Sequence, residues 1–149
     1  MNQNTPTVCT PEELEALRAA AQEARTMLWI PYSNYPVLAA ALTTDGRIYS
    51  GANVENAAYT PTKHAEENAI LAALRDGVVG RCGRKWLRGL YLTSANAVAP
   101  CGICRQFMAE FITDDGWWVG EATEDKTICS GPFTEILPFG FGPAQLGID

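Results

Sequence analysis

The chain has 149 residues, 47% hydrophobic and 19% charged, a composition that predicts a single globular domain over residues 1–149, with 1–9 as a flexible N-terminus. Its 17 acidic side chains outnumber 11 basic ones, giving a net charge of −6, which disfavours a protein that holds nucleic acid on a basic face. There are five cysteines and one histidine, His64. Chemistry that needs two imidazoles is therefore excluded.

The cellular compartment is predicted from three further observations. The chain contains no run of about eighteen apolar residues, so we expect no membrane span. The segment from Met1 to Thr10 is polar and lacks the basic-then-apolar order of a signal peptide. An odd number of cysteines without an export signal favours reduced thiols over disulfides. A cytoplasmic location is the expectation.

Helical and strand-like patterns alternate along the chain. Thr10, Pro11 and Glu13 provide a cap, a proline at the first helical position and a glutamate three residues after the cap, and the apolar spacing that follows continues to Leu28 and stops at Pro31. The later patterns predict strands over 37–43 and 47–54 joined by a turn at 44–46, a helix over 64–75, a strand over 87–93, a helix over 101–112, short strands over 117–119 and 126–129, and a helical turn from 133 that breaks up at 138. This order predicts an α/β fold, a three-layer α/β/α sandwich with a mixed five-stranded sheet.

Two short segments carry metal-binding chemistry. His64 and Glu66 open the second helix, and the pair Cys101 and Cys104 opens the third. Cysteines at this spacing at a helix start can face one metal ion, and the positive helix end lowers the pKa of their thiols. With His64 as third ligand, three protein donors leave one tetrahedral position for water, which is the arrangement of a catalytic zinc.

Glu66 is the candidate proton carrier of such a site. Residues i and i+2 do not share a helix face, so His64 and Glu66 can converge only if His64 is the cap residue and Glu66 lies in the first turn. A carboxylate there can take a proton from zinc-bound water and pass it to a substrate nitrogen. Cys9, Cys82 and Cys129 lack metal spacing and are interpreted as packing residues or free thiols, with a regulatory thiol as the alternative.

The H-x-E and P-C-x-x-C segments together are the signature of zinc deaminases. Three further blocks resemble the free-nucleoside cytidine deaminases: residues 32–37 (YSNYPV), 51–59 (GANVENAAY) and 137–143 (LPFGFGP). The Arg-Gln pair after the second cysteine also fits that family. The resemblance covers roughly residues 27–146, and it is specific because these separated blocks occur in the family's order.

The resemblance implies hydrolytic deamination of cytidine and 2′-deoxycytidine to the uridines and ammonia, in pyrimidine salvage. One zinc ion per subunit is expected on His64, Cys101 and Cys104, with Glu66 as the catalytic residue. Closed zinc modules, in which Cys82 or Cys129 supplies a fourth ligand, are a non-enzymatic alternative, but such a site has no need of Glu66.

Substrate-binding residues follow from the same resemblance. Asn53 and Glu55 would hold the ribose hydroxyls, since an amide and a carboxylate suit a vicinal diol; the alternative is that they merely cap a strand end. Tyr35 would pack on the pyrimidine, and the backbone at Ala65 and Ala99 would read its edge. Phe141 would reach the pocket of a neighbouring subunit.

Departures from the family pattern leave part of the function open. Small family members usually have cysteine at the position of His64 and arginine at that of Glu67; a neutral imidazole with two thiolates already balances Zn²⁺, so no arginine is needed. We expect Arg105 to be available for hydrogen bonds to the thiolates.

Substrate and assembly are the remaining open points. Leu38, Ala58 and Thr60 replace the usual family residues and are expected around the ligand pocket. They favour, as an alternative, a deaminase of a modified cytidine, a free base or a cytosine-containing antibiotic. A polynucleotide deaminase is disfavoured by the acidic charge.

An apolar tail and four tryptophans favour a homotetramer, with a homodimer as the alternative because a histidine ligand is typical of the larger dimeric members.

Overall fold

The computed structural model describes residues 6–148 and places in them a five-stranded mixed sheet between helices. The strands are β1 (Leu38–Thr43), β2 (Ile48–Ala52), β3 (Leu87–Ser94), β4 (Ile112–Ala122) and β5 (Ile128–Pro132), in the order β2-β1-β3-β4-β5. The helices are α1 (Pro11–Glu23), α2 (Ala65–Arg75), α3 (Val78–Cys82) and α4 (Gly102–Ala109). The β3–β4 pair is parallel and the other three pairs are antiparallel. The predicted α/β fold is confirmed.

Helix α1 begins as its capping pattern predicts. The Thr10 hydroxyl accepts a hydrogen bond from the backbone N–H of Glu13 at 3.1 Å, and the Glu13 carboxylate accepts one from the backbone N–H of Thr10 at 3.0 Å. The helix buries Leu14, Leu17 and Ala21. After Glu23 the chain tightens into a 3₁₀ turn, Ala24–Met27, which accounts for the helical spacing that the sequence shows up to Leu28.

The sheet is covered on both faces, which gives three layers. Leu38, Ala40 and Leu42 of β1 pack with α1. The alternate residues Ala39 and Ala41 pack with α2 and with Met108 of α4 on the opposite face. Because β1 is buried on both faces, it reads as a continuous apolar run and not as an alternating pattern.

Several elements differ in their bounds from the sequence prediction. Strand β4 starts five residues before the predicted 117–119 segment, because the polar residues 113–115 form a largely exposed first part of the strand that apolar patterning does not reveal. Helix α4 correspondingly ends at Ala109 and not at Ile112. The short helix α3 was not expected; it restarts after Gly77, whose φ of +73° lies in the left-handed region that favours glycine. Strand β5 lies slightly later than predicted.

The N-terminal segment is described from residue 6 onward, and residues 1–5 of the stretch expected to be flexible lie outside the described residues. Val8 and Cys9 pack against the core between α1 and the sheet. Within residues 6–148, none of the helices combines the length and apolar character needed to cross a bilayer.

The topology brings the beginnings of α2 and α4 to the same end of the sheet. The parallel β3–β4 connection passes through α4, so α4 begins where the chain has left β3. Between β2 and α2, Val54 forms bridges with Trp29 and Lys63, and this pairing returns the chain to the sheet just before His64. The two predicted metal-binding segments therefore face each other across one sheet end.

Candidate metal centre and adjoining cavity

Three predicted zinc ligands meet between α2 and α4. His64 is the cap residue of α2, and Cys101 is the cap residue of α4. The His64 Nδ1 atom lies 3.3 Å from Cys104 Sγ and 3.2 Å from Cys101 Sγ. Within residues 6–148 these three residues form the one group of three or more potential metal ligands whose donor atoms all lie within 4.8 Å of one another.

The geometry and chemistry of this group fit zinc. Two ligands of a tetrahedral zinc ion at ordinary Zn–N and Zn–S bond lengths stand about 3.5 Å apart, close to the two nitrogen–sulfur separations seen here. One imidazole and two thiolates are donors that zinc prefers. Neither Cys82 nor Cys129 belongs to the group, so the closed four-ligand module is not supported.

The surroundings of Cys104 determine the pKa of its thiol, and a bound cation would change that pKa. Burial raises the pKa of the Cys104 thiol, and the neighbouring Glu66 carboxylate raises it further. A dication held by the thiolates reverses this preference and makes the deprotonated sulfur the stable form. The N-termini of α2 and α4 both point at the group and favour negative charge there.

Glu66 lies in the first turn of α2 and is 5% exposed. Burial raises the pKa of its carboxyl, an effect that His64 and Cys104 partly oppose. The predicted convergence is present, since His64 is at the cap and Glu66 follows in the first turn beside the same sulfur. Glu66 therefore places a buried carboxyl group beside the three donors.

Glu67 performs a separate, structural task. Its carboxylate accepts a hydrogen bond from the His64 backbone N–H at 2.9 Å and lies 3.4 Å from Lys63 Nζ. This bond satisfies a free N–H at the start of α2, as a capping-box glutamate does. Because Glu67 holds the backbone of His64, its presence where small family members have arginine has a local physical reason.

A cavity of about 310 Å³ opens beside the donor group. The predicted site residues that line it are Tyr35, Asn53, Glu55, His64, Ala65, Glu66 and Cys101. Cys104 is buried behind this wall. Five positions that the sequence did not single out as site residues also line it: Val37, Thr62, Leu92, Ser94 and Val98. Ser94 had a usable signal, because it is a polar residue directly at the end of an apolar strand.

Asn53 and Glu55 line the cavity while also holding the segment that precedes β1. The Asn53 amide accepts a hydrogen bond from the Val37 N–H at 3.0 Å and donates one to the Tyr35 carbonyl at 2.9 Å. The Glu55 carboxylate accepts hydrogen bonds from the backbone N–H groups of Tyr32, at 2.9 Å, and Ser33, at 3.2 Å, and from the Ser33 hydroxyl. The hydroxyl contact is the main reason that the pKa of Glu55 is lowered. Both residues therefore have structural partners as well as access to the cavity.

Tyr35 lines the same cavity and is held there by hydrogen bonds. Its hydroxyl donates a hydrogen bond to Ser94 Oγ at 3.2 Å, and the Ser94 hydroxyl donates to the Asn96 carbonyl at 2.8 Å. This chain of bonds holds the tyrosine ring at the cavity edge. Ala65 and Ala99 contribute to the lining next to the ligands.

Two expectations about residues around the site are wrong. Leu38 is 3% exposed and packs with α1, because the alternation of β1 turns it to the face opposite the metal group. Ala58 and Thr60 lie in an exposed loop and do not line the cavity of this chain. Arg105 donates its hydrogen bonds to the carbonyls of Pro100, at 2.6 Å, and Ile136, at 3.0 Å, and not to the cysteine sulfurs.

Phe141 lies outside the cavity of its own chain. Its side chain is 58% exposed, and its carbonyl accepts a hydrogen bond from Gln106 Nε2 at 2.7 Å. Arg105 and Gln106 thus attach the C-terminal segment to the helix that carries Cys104.

Comparisons with known proteins agree with this geometry. A family model described as "cytidine and deoxycytidylate deaminase zinc-binding region" matches residues 11–119, which include all three donors. A cytidine deaminase of Sporosarcina psychrophila is 42% identical over 101 residues, 66% of this chain and 70% of that protein. One of Mycobacterium tuberculosis is 40% identical over 128 residues, 85% of this chain and 87% of that protein.

The fold comparison leads to the same group. A crystal structure of cytidine deaminase from Burkholderia pseudomallei aligns with a TM-score of 0.75 and 33% identity, over 85% of this chain and 98% of that chain. The solved Mycobacterium leprae cytidine deaminase aligns with a TM-score of 0.67 and 32% identity, over 84% of this chain and 97% of that chain. Matches of this length and identity show that the chain belongs to the cytidine deaminase family of zinc-dependent hydrolases.

Proposed function

We propose that this chain catalyses the hydrolysis of cytidine to uridine and ammonia, with one zinc ion per subunit bound by His64, Cys101 and Cys104. The observation that carries the proposal is the meeting of one imidazole nitrogen and two sulfurs beside the buried Glu66 carboxylate, at the wall of a cavity. Relatives named cytidine deaminase support cytidine as the substrate. The proposed unit is a single domain over residues 1–149, which carries the three donors and Glu66.

Glu66 moves the protons of the reaction. Zinc, when bound, lowers the pKa of a coordinated water toward neutrality. Glu66 accepts a proton from the attacking water and donates it to ring nitrogen N3. It then accepts a second proton from the new hydroxyl on C4, as that oxygen becomes the carbonyl, and donates it to the departing amine. Water supplies the new oxygen at C4, and the 4-amino group leaves as ammonia, so the reaction needs no other reactant.

The remaining wall residues bind and orient the nucleoside. Tyr35 packs against the pyrimidine, and the backbone at Ala65 reads its edge. Asn53 and Glu55 hold the sugar hydroxyls; the lone pairs of the Glu55 carboxylate are not exhausted by the donors that it already accepts. We extend the proposal to 2′-deoxycytidine and to a role in pyrimidine salvage. Because Leu38 packs on the far face of the sheet, it gives no support to a substrate with a different amino-heterocycle.

The compartment proposed is the cytoplasm. All five cysteines are free, and two of them must be thiolates to bind zinc. Reduced thiols persist in the cytoplasm, where disulfides are rare.

Replacing Glu66 tests the proton carrier. We expect Glu66→Gln to lower kcat on cytidine by roughly 10²–10⁴-fold, the range for loss of a general acid–base group, while zinc content stays at one per chain. Glu67→Gln is the matched control, since that side chain only caps α2, and its kcat should stay within a few-fold of wild type. A Glu66→Gln enzyme with near-normal kcat would refute the assignment.

Replacing cysteines tests the ligand set. Cys101→Ser removes a soft donor, so we expect zinc measured by atomic absorption after dialysis to fall well below one per chain, with activity falling in parallel. Cys129→Ser, which changes the same residue type in β5, should keep full zinc and activity. Loss of zinc in Cys129→Ser instead would indicate a closed structural site.

Discrimination between nucleoside and nucleotide tests the substrate class. The cavity wall, as far as the chain is described, contains the carboxylates of Glu55 and Glu66 and no lysine or arginine. A 5′-phosphate therefore meets like charge without compensation, which costs several kcal/mol. We expect kcat/KM for cytidine to exceed that for cytidine monophosphate by on the order of 100-fold or more. Equal values for the two compounds would contradict a nucleoside site.

We also propose that the chain assembles as a homotetramer in which Phe141 reaches a neighbouring subunit's cavity. The side chains of Phe139 and Phe141 are 106% and 58% exposed, although they stand only two positions apart in the tail. Exposed apolar side chains that occur together mark an interaction surface. A second, largely apolar groove lies on α4, lined by Ile103, Phe107 and Phe111 among others.

Light scattering on the eluting protein tests the assembly. We expect the mass of four chains for wild type and a raised KM for Phe141→Ala, because the truncated side chain no longer covers the partner's cavity. Phe139→Ala is the comparison variant in the same tail. The mass of two chains would favour the homodimer, and that of one chain would refute assembly.

A further inference from the structure

We propose that Gly51 and Gly120 are positioning residues for the deamination, because the absence of a side chain at each lets a backbone segment leading to the zinc donors pack directly on the sheet. The inference rests on the proposed function, in which His64, Cys101 and Cys104 hold zinc beside Glu66. The two glycines lie on different strands, and each supports one of the two segments that must meet.

Gly51 of β2 supports the start of α2. It is buried, and a Cβ atom placed on it would lie 2.5 Å from the Ala65 carbonyl oxygen and 2.9 Å from the Asn68 carbonyl carbon. It would also strike the Ala69 nitrogen. Ala65 oxygen and Ala69 nitrogen are the acceptor and donor of an i to i+4 pair in the first turn of α2. A side chain at position 51 must therefore move the turn that carries Glu66.

Gly120 of β4 supports the segment that leads to Cys101. A Cβ atom there would strike the Val98 carbonyl oxygen and lie 2.8 Å from the Val98 carbonyl carbon. Val98 lines the cavity and precedes Cys101 by three residues. The atoms that a Cβ would meet again belong to the backbone and not to a flexible side chain. The segment around Val98 can therefore make room for a side chain at position 120 only by moving as a whole.

Neither glycine is required by its backbone conformation. The described glycines with positive φ are Gly46, Gly77, Gly83 and Gly147, and Gly51 and Gly120 are not among them. An alanine can adopt the backbone at either position, so the constraint is the close approach of a second backbone.

Asn68 provides a milder probe of the same contact. Its side-chain Nδ2 donates a hydrogen bond to the Ala52 carbonyl at 2.7 Å, fastening the first turns of α2 to β2 beside Gly51. Asn68→Ala removes this bond without introducing a clash. It should loosen the turn that carries Glu66 and still permit folding.

Two other glycines of the sheet serve as controls. A Cβ on Gly89 of β3 would lie 2.5 Å from Cδ2 of Trp117, so Gly89→Ala is about as crowded as the test variants. Trp117 belongs to the core under α1, on the face away from the donors. A Cβ on Gly131 of β5 would make ordinary contacts, with Glu135 Oε2 nearest at 3.4 Å.

The experiment compares Gly51→Ala, Gly120→Ala and Asn68→Ala with the two controls. For each protein, kcat and KM on cytidine, zinc affinity, the thermal midpoint, and the absorption spectrum of the cobalt(II)-substituted form are measured. A displacement of about 1 Å can cost on the order of 10²-fold in rate. We expect the glycine variants at 51 and 120 to lose at least about tenfold in kcat, with a smaller change in KM, weaker zinc binding and an altered cobalt spectrum.

The controls separate positioning from simple stability. Gly89→Ala should lower the thermal midpoint but keep the wild-type kcat per folded molecule and the wild-type cobalt spectrum. Gly131→Ala should leave the thermal midpoint, kcat and the cobalt spectrum at their wild-type values. If Gly51→Ala and Gly120→Ala fold with wild-type kcat and spectrum, the proposal is wrong. If Gly51→Ala does not fold, Asn68→Ala decides for that contact: a several-fold loss of kcat with an altered spectrum supports positioning, and wild-type values overturn it. A Gly120→Ala chain that does not fold would overturn the assignment of Gly120 as a positioning residue, because its role would then be in folding.

Failure of the proposed function gives a different result. A wild-type protein that binds one cobalt ion but does not deaminate cytidine would refute the function. The cobalt spectra of the same variants would still report whether the glycines position the donors.

Discussion

The site depends on the approach of two backbone segments that each start a helix at the same end of the sheet. Three donor atoms, one on α2's cap and two on α4's cap and first turn, must lie within a few ångströms of one another to share a metal ion. Without a cation, burial and neighbouring acidic groups disfavour the Cys104 thiolate, so the arrangement is electrostatically suited to a dication. The parallel β3–β4 connection through α4 and the return of the chain at Lys63 provide this approach.

The division of labour between adjacent residues follows from this constraint. His64 occupies the cap position but points its imidazole at the sulfurs, and Glu67 satisfies its backbone N–H. Because Glu67 caps the helix, the Glu66 carboxyl takes no part in capping and lies beside the donors. Arg105 similarly binds two carbonyls, one before the metal-binding turn and one in the C-terminal segment.

The meeting of His64, Cys101 and Cys104 was predictable from sequence because caps and first turns are local. The spacing of His64 to Glu66 and of Cys101 to Cys104 determines where these side chains can point. The α1 cap was predictable for the same reason. The layer order was predictable because helical and strand-like patterns alternate along the chain. Leu38 and Arg105 were misjudged because their surroundings depend on which face β1 presents and on where the distant tail lies. The polar start of β4 escaped prediction because its residues are exposed and its pairing with β3 is irregular. Crowding at Gly120 depends on a loop more than twenty residues earlier in the chain.

The hydrogen bonds of Asn53 and Glu55 have a consequence for the affinity of the site. Both side chains are already held by the backbone of residues 32–37 before any sugar arrives. Their rotamers are restricted by folding, so little conformational entropy is lost when a ligand binds. In the function we propose, a wall of this kind would discriminate by shape and hydrogen-bond pattern with little induced fit, and it would resist adapting to a sugar of different stereochemistry.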